Sequence, residues 1–127
     1  MKKLVYLFLI VVFILVACSR EGGRGAAGAA EDYINALANK DKALITNLSC
    51  KEWEESAILE VDGLLSVEAA VSNLACGITG EEGDSTLVNC TGSLDLTYND
   101  EIRAIDLSRR TYYLQEIDGQ WRVCSNQ

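Results

Sequence analysis

The residues able to do chemistry here are cysteines, carboxylates and tyrosines; the chain has no histidine. Cys50, Cys76, Cys90 and Cys124 are 26, 14 and 34 residues apart and form no C-x-x-C pair. A structural zinc site needs closely spaced thiolates or imidazoles, so neither a metal nor another cofactor is expected. Four cysteines in a small exported domain read as two disulfides, and three pairings are open. No catalytic set stands out, so no catalytic residue is assigned. The fifth cysteine, Cys18, is of another kind, because it closes a long apolar run.

That run is Leu4 to Ala17, preceded by Lys2 and Lys3 and followed by Arg20, Glu21 and Arg24. Its 14 residues fall short of the roughly 20 that cross a bilayer, but suit the apolar core of an export signal. Leu15-Val16-Ala17-Cys18 puts a small residue before a thiol. Residues 1–19 resemble the signal of bacterial lipoproteins. The resemblance implies cleavage before Cys18 and a diacylglyceryl group on its sulfur. Two acyl chains anchor stably where one binds marginally. The expected domains are a signal peptide at 1–17, lipidated Cys18 with a flexible tether at 18–28, and a folded domain at 29–127. An uncleaved signal anchor and an ordinary secretory peptide are the alternatives. The expected location is extracytoplasmic, on the cell membrane or on an outer membrane if the host has one.

Cleavage would remove Lys2 and Lys3 and leave 9 basic against 19 acidic side chains, a net charge of −10. Such a chain repels nucleic acid and anionic lipid. The acid clusters at Glu52, Glu54 and Glu55, at Glu81, Glu82 and Asp84, and at Asp100 and Glu101 read as solvated faces. Gly80-Glu81-Glu82-Gly83-Asp84 lacks the alternating oxygen ligands of a calcium loop.

The elements that would position these groups follow from hydrophobic period. Ala26, Ala30, Tyr33, Ile34 and Leu37 make one helical stripe over about 26–39. Asp41 is placed to cap a helix over 42–49 that buries Ala43, Leu44 and Leu48. Trp53, Ala57, Val61 and Leu64 continue helical spacing from Lys51 to Asp62, and Ser66 to Asn73 suggests one or two more turns. The period then becomes two. Thr86, Val88, Cys90, Leu94, Leu96 and Tyr98 share one face of a long strand. Asn99-Asp100 marks a turn, and a second long strand from Ile102 to Ile117 changes phase, which a bulge at Arg109-Arg110 would repair. Asp118-Gly119 is a hairpin turn before a last strand over 120–125. The fold class is α+β, N-terminal helices packed on a curved antiparallel β-sheet.

Register suggests the disulfides. A hairpin about Gly83 sets Ile78 opposite Val88 and Cys76 opposite Cys90. Cys50 then falls to Cys124, although Cys124 lies on the opposite parity from Trp121 and Val123.

Ala30-x-x-Tyr33-x-x-Ala36-Leu37-x-x-x-Asp41, Leu48-Ser49-Cys50-x-x-Trp53-Glu54 and the ending Gly119-Gln120-Trp121-Arg122-Val123-Cys124 resemble small bacterial lipoproteins with a nuclear transport factor 2-like (cystatin-like) domain. The resemblance spans about 28–125. It implies a cone-shaped sheet around the first helix, often with a pocket and often dimeric. Enzymes of that superfamily place Asp, Tyr or His in the cone. Tyr33, Tyr98, Asp95, Tyr112 and Tyr113 are candidates on paper. Tyr33 and Tyr98 read as core, Asp95 as solvated, Trp53 and Trp121 as core anchors, and Arg109-Arg110 as an exposed pair. The function expected is a non-enzymatic envelope module that binds a ligand or a protein partner, or dimerises. A small isomerase or dehydratase with a carboxylate in the cone, or a structural spacer, are the alternatives.

Overall fold

The computed structural model describes residues 25–127. The signal, Cys18 and the first part of the tether lie outside the described residues. Helix α1 (Gly25–Ala38) begins directly and takes in Gly25–Gly28, the end of the expected tether. Its glycine and alanine residues let it lie close to its neighbours, and Ala26, Gly28, Ala29 and Ala30 are all buried.

A short α2 (Lys42–Asn47) follows, capped by Asp41, whose carboxylate accepts from Leu44 N at 3.0 Å. This helix buries Ile45, and the residue after its end, Leu48, is buried too. Ala43 and Leu44, expected to be buried, face solvent. A helix of under two turns turns one i, i+3 pair inward, and that pair is Ile45 and Leu48. A 3-10 turn (Lys51–Trp53) leads into α3 (Glu54–Asp62), which buries Ala57 and Val61.

The sheet is antiparallel, with β1 (Glu68–Glu82), β2 (Ser85–Tyr98), β3 (Glu101–Asp106), β4 (Thr111–Ile117) and β5 (Gln120–Asn126). Its order is β1-β2-β4-β5, and β3 pairs with the far half of β2. Strand β1 overturns the helical reading of 66–73. Ala69 and Val71 lie opposite Leu96 and Leu94, and this cross-strand packing outweighs the helix propensity of Glu68-Ala69-Ala70. The expected strand 102–117 is two strands in one lane beside β2. A 3-10 turn (Leu107–Arg109), not a bulge, resets the phase and buries Leu107. The two-residue turns 99–100 and 118–119 both have positive φ, the form that hairpin twist demands.

Cys76 faces Cys90 in the β1–β2 ladder, and the two form a disulfide with Cα atoms 4.0 Å apart. Cys50 is joined to Cys124. Beside that bond, Cys50 N donates to Val123 O at 2.8 Å and Val123 N to Leu48 O at 2.8 Å, a parallel bridge from the α2–α3 connection to β5. Helix α1 packs over the sheet, and the core joins Tyr33, Ile34, Val61, Val88, Tyr112, Leu114 and Val123. No described helix is long and apolar enough to cross a membrane.

Candidate functional site

Helix α1 and the end of α3 do not close completely on the sheet. Between them and the 107–109 turn lies a cleft of about 190 Å³. Its apolar walls are Ile34, Leu37, Leu64, Leu94, Ile105 and Leu107, and its polar groups are Glu60, Asp106, Arg110 and Tyr112. That volume holds about six waters, so the cleft suits a small molecule.

Glu60 anchors the polar side. Tyr33 Oη donates to Glu60 Oε1 at 3.3 Å, Asn126 Nδ2 donates to the same oxygen at 2.9 Å, and Arg110 Nη1 donates to Oε2 at 3.3 Å. Trp53 Nε1 donates in turn to Tyr33 Oη at 3.1 Å. One carboxylate thus links α1, α3, β4's leading edge and β5. Burial, and then the negative charge of Glu60, push the Tyr33 hydroxyl well above the usual tyrosine range. It stays protonated and serves as a fixed donor. Burial likewise pushes Tyr112 up to about 12, with Arg110 opposing the shift. The Tyr33 and Tyr112 rings meet edge to face at 6.0 Å.

The other candidates are dispersed. Tyr33 is fully buried, in line with its position on the α1 stripe. Tyr98 is not core: it is 60% exposed, because β2 runs on beyond the cover of the helices. Asp95 is on the outer side of the sheet, where Ser72 Oγ (2.6 Å) and Ser93 Oγ (2.8 Å) donate to it and hold it below the usual carboxylate range. Asp106 is held low by the Ser108 hydroxyl and amide at 2.7 and 2.9 Å. Tyr113 is half-buried. Of the adjacent arginines, Arg109 is exposed, whereas Arg110 reaches Glu60. Trp53 and Trp121 are partly buried against the core. Cys50, Glu52 and Cys124 bring ligand atoms within 4.8 Å of one another, but both sulfurs are consumed in a disulfide, which leaves no thiolate for a metal. Sequence reasoning missed Glu60, whose neighbours Leu59 and Val61 carry no sign of a buried charge; only the fold brings Arg110 and Asn126 to it.

No family model matches the chain, and no curated protein matches it. Solved structures do. An NTF2-like protein with a cystatin-like fold from Novosphingobium aromaticivorans aligns with a TM-score of 0.54 at 10% identity, over 92% of this chain and 84% of that one. A proposed dehydratase of the NTF2-like family from Streptomyces avermitilis gives 0.53 at 13%, over 77% and 87%. A protein of unknown function with a cystatin-like fold from Nostoc punctiforme gives 0.50 at 12%, over 79% and 84%. The fold is the NTF2-like, cystatin-like one. At these identities the likeness speaks for the fold alone, and functions on one fold vary widely.

Proposed function

We propose that the chain is a membrane-anchored, non-enzymatic module that binds a small, largely apolar molecule in the cleft between α1, α3 and the sheet. The observation that supports this reading most is the state of Glu60. Tyr33 and Asn126 donate to one of its oxygens and Arg110 to the other, so the carboxylate is held in place by three protein donors at the polar edge of an otherwise apolar cleft. Donors that fix a carboxylate in this way suit a structural and binding role better than that of a base that must turn toward a substrate proton. The anchor in this reading is the diacylglyceryl group on Cys18 that the resemblance of residues 1–19 to lipoprotein signals implies.

Two measurements test the reading. In a ¹H–¹⁵N titration with benzyl alcohol, shifts should concentrate at Ile34, Leu94 and Ile105; shifts scattered over the surface, or none, would refute the cleft. The full chain expressed in a bacterium should partition into the detergent phase, and Cys18→Ser should move it to the aqueous phase. A detergent-phase Cys18→Ser protein would refute lipid anchoring.

A second reading, an isomerase- or dehydratase-type enzyme, is favoured by Tyr112 and Glu60 lining the same cleft. It requires turnover that Glu60→Gln abolishes while benzyl alcohol still binds.

A further inference from the structure

Strand β3 hydrogen-bonds to β2 along one side, and among the described residues no strand pairs with its other side. All six of its residues are exposed, and Ile102 is 72% exposed. Natural edge strands are usually blunted by proline, charged side chains, a bulge or a covering element. Glu101-Ile102-Arg103-Ala104-Ile105-Asp106 has no proline, its ladder with β2 runs without a register shift, and its charges are of both signs, so they can pair with a partner strand as well as repel one.

We propose that β3 is the interface for a second copy of this chain, joined edge to edge and antiparallel with Ile102 opposite Ile102. The phase of the backbone permits this pairing. The two-residue 99–100 turn makes Tyr98 and Glu101 the closing, hydrogen-bonded pair. In an antiparallel ladder such pairs alternate, so Ile102 and Ala104 direct their amide and carbonyl groups to the open side. An antiparallel two-fold centred on Ile102 therefore exchanges two backbone hydrogen bonds across the axis.

Charge selects this register from the others that the phase allows. Centred on Ile102, Glu101 of each copy faces Arg103 of the other, twice per dimer, and Asp100 faces Ala104. Centred on Glu101 it would oppose two glutamates, and centred on Arg103 two arginines, with Asp100 against Asp106. Centred on Ala104 it would set Ile102 against Asp106 and match no charges, and centred on Ile105 it would pair two isoleucines but set Arg103 against Leu107 of the 3-10 turn and match no charges within the strand. Only the first combines an apolar pair with two opposite-charge pairs, the combination that stabilises neighbouring strands. The joined sheets would continue across both molecules and leave each cleft open at its 107–110 side.

The test is chemical cross-linking of the full chain in membranes, using Ile102→Cys and a short bis-maleimide. Ile78→Cys, on the β1 edge and 61% exposed, is the control. Ile102→Cys should give a dimer and Ile78→Cys should not. Added to Ile102→Cys, Glu101→Arg or Arg103→Glu alone should lower the dimer yield about tenfold, since each replaces two attractive pairs with two repulsive ones. Both together should restore it. Circular dichroism confirms that each variant is folded. Equal cross-linking at residue 78, a monomer throughout, or a double charge swap that fails to restore the dimer would overturn the proposal.

Discussion

Glu60 shows how one side chain can set the character of a cleft. The carboxylate is about one-fifth exposed and its Arg110 partner about half, so their ion pair alone contributes little. The larger effect is that three donors are arranged around it. Glu60→Ala strands Tyr33 and Asn126, and should destabilise the domain by about 2–3 kcal/mol in urea denaturation. Glu60→Gln keeps one acceptor but turns an amide toward Arg110, and should cost about 1–2 kcal/mol. The tyrosines give a pH signature. Tyr112 titrates near 12 when folded and near 10 when unfolded. The unfolded chain releases that proton first, so stability is complete below pH 10 and falls as pH rises from 10 toward 12. Tyr112→Phe should make this fall shallower, with denaturant midpoints measured at pH 9 and 11.5 as the check.

At the scale of elements, two positions carry much of the geometry. Gly92 has φ +104°, and a Cβ there would sit 2.5 Å from Ser72 O and 2.6 Å from Asn73 O. It faces the break in the β1–β2 register between Ser72 and Ala75, where β1 departs from regular pairing. Gly92→Ala should cost about 2–4 kcal/mol in thermal or chemical unfolding, through both the left-handed backbone and the clash. Asp41→Ala removes the α2 cap and should cost about 1 kcal/mol. Much of this scale was legible in the residues. The α1 stripe, the Asp41 cap, the β1–β2 register about Gly83 and the turns 99–100 and 118–119 follow from period and turn chemistry. The start of β1 was not, because Glu68-Ala69-Ala70 carries a helical preference that only pairing with β2 overrides. The inward reading of Tyr98 failed for a related reason: alternation says which face a side chain takes, but not where the covering helix ends. The cleft was less legible still. Tyr33 and Tyr112 read as core and are core, but their hydroxyls acquire meaning only beside Glu60 and Arg110, which come together from positions 50 residues apart.

For the whole molecule, the two disulfides do unequal work. Cys76–Cys90 closes a hairpin with a sequence separation of 14, whereas Cys50–Cys124 spans 74 and ties the helical half to the last strand. Replacing Cys50 and Cys124 with alanine should cost about 4 kcal/mol, against about 3 for the hairpin pair, measured as unfolding free energies. The 48–50 bridge to Val123 makes the first of these larger still in practice, because its backbone hydrogen bonds depend on the same contact.

That bridge also orders the assembly of the chain in time. The hairpin ends meet early, since closing a short loop is fast and loses little entropy. Residues 48–50 can dock only on a β5 that is already in place, and Cys124 on that strand lies 74 residues beyond Cys50. Oxidative maturation should therefore pass through a one-disulfide species linked at Cys76–Cys90, with Cys50 and Cys124 still alkylatable.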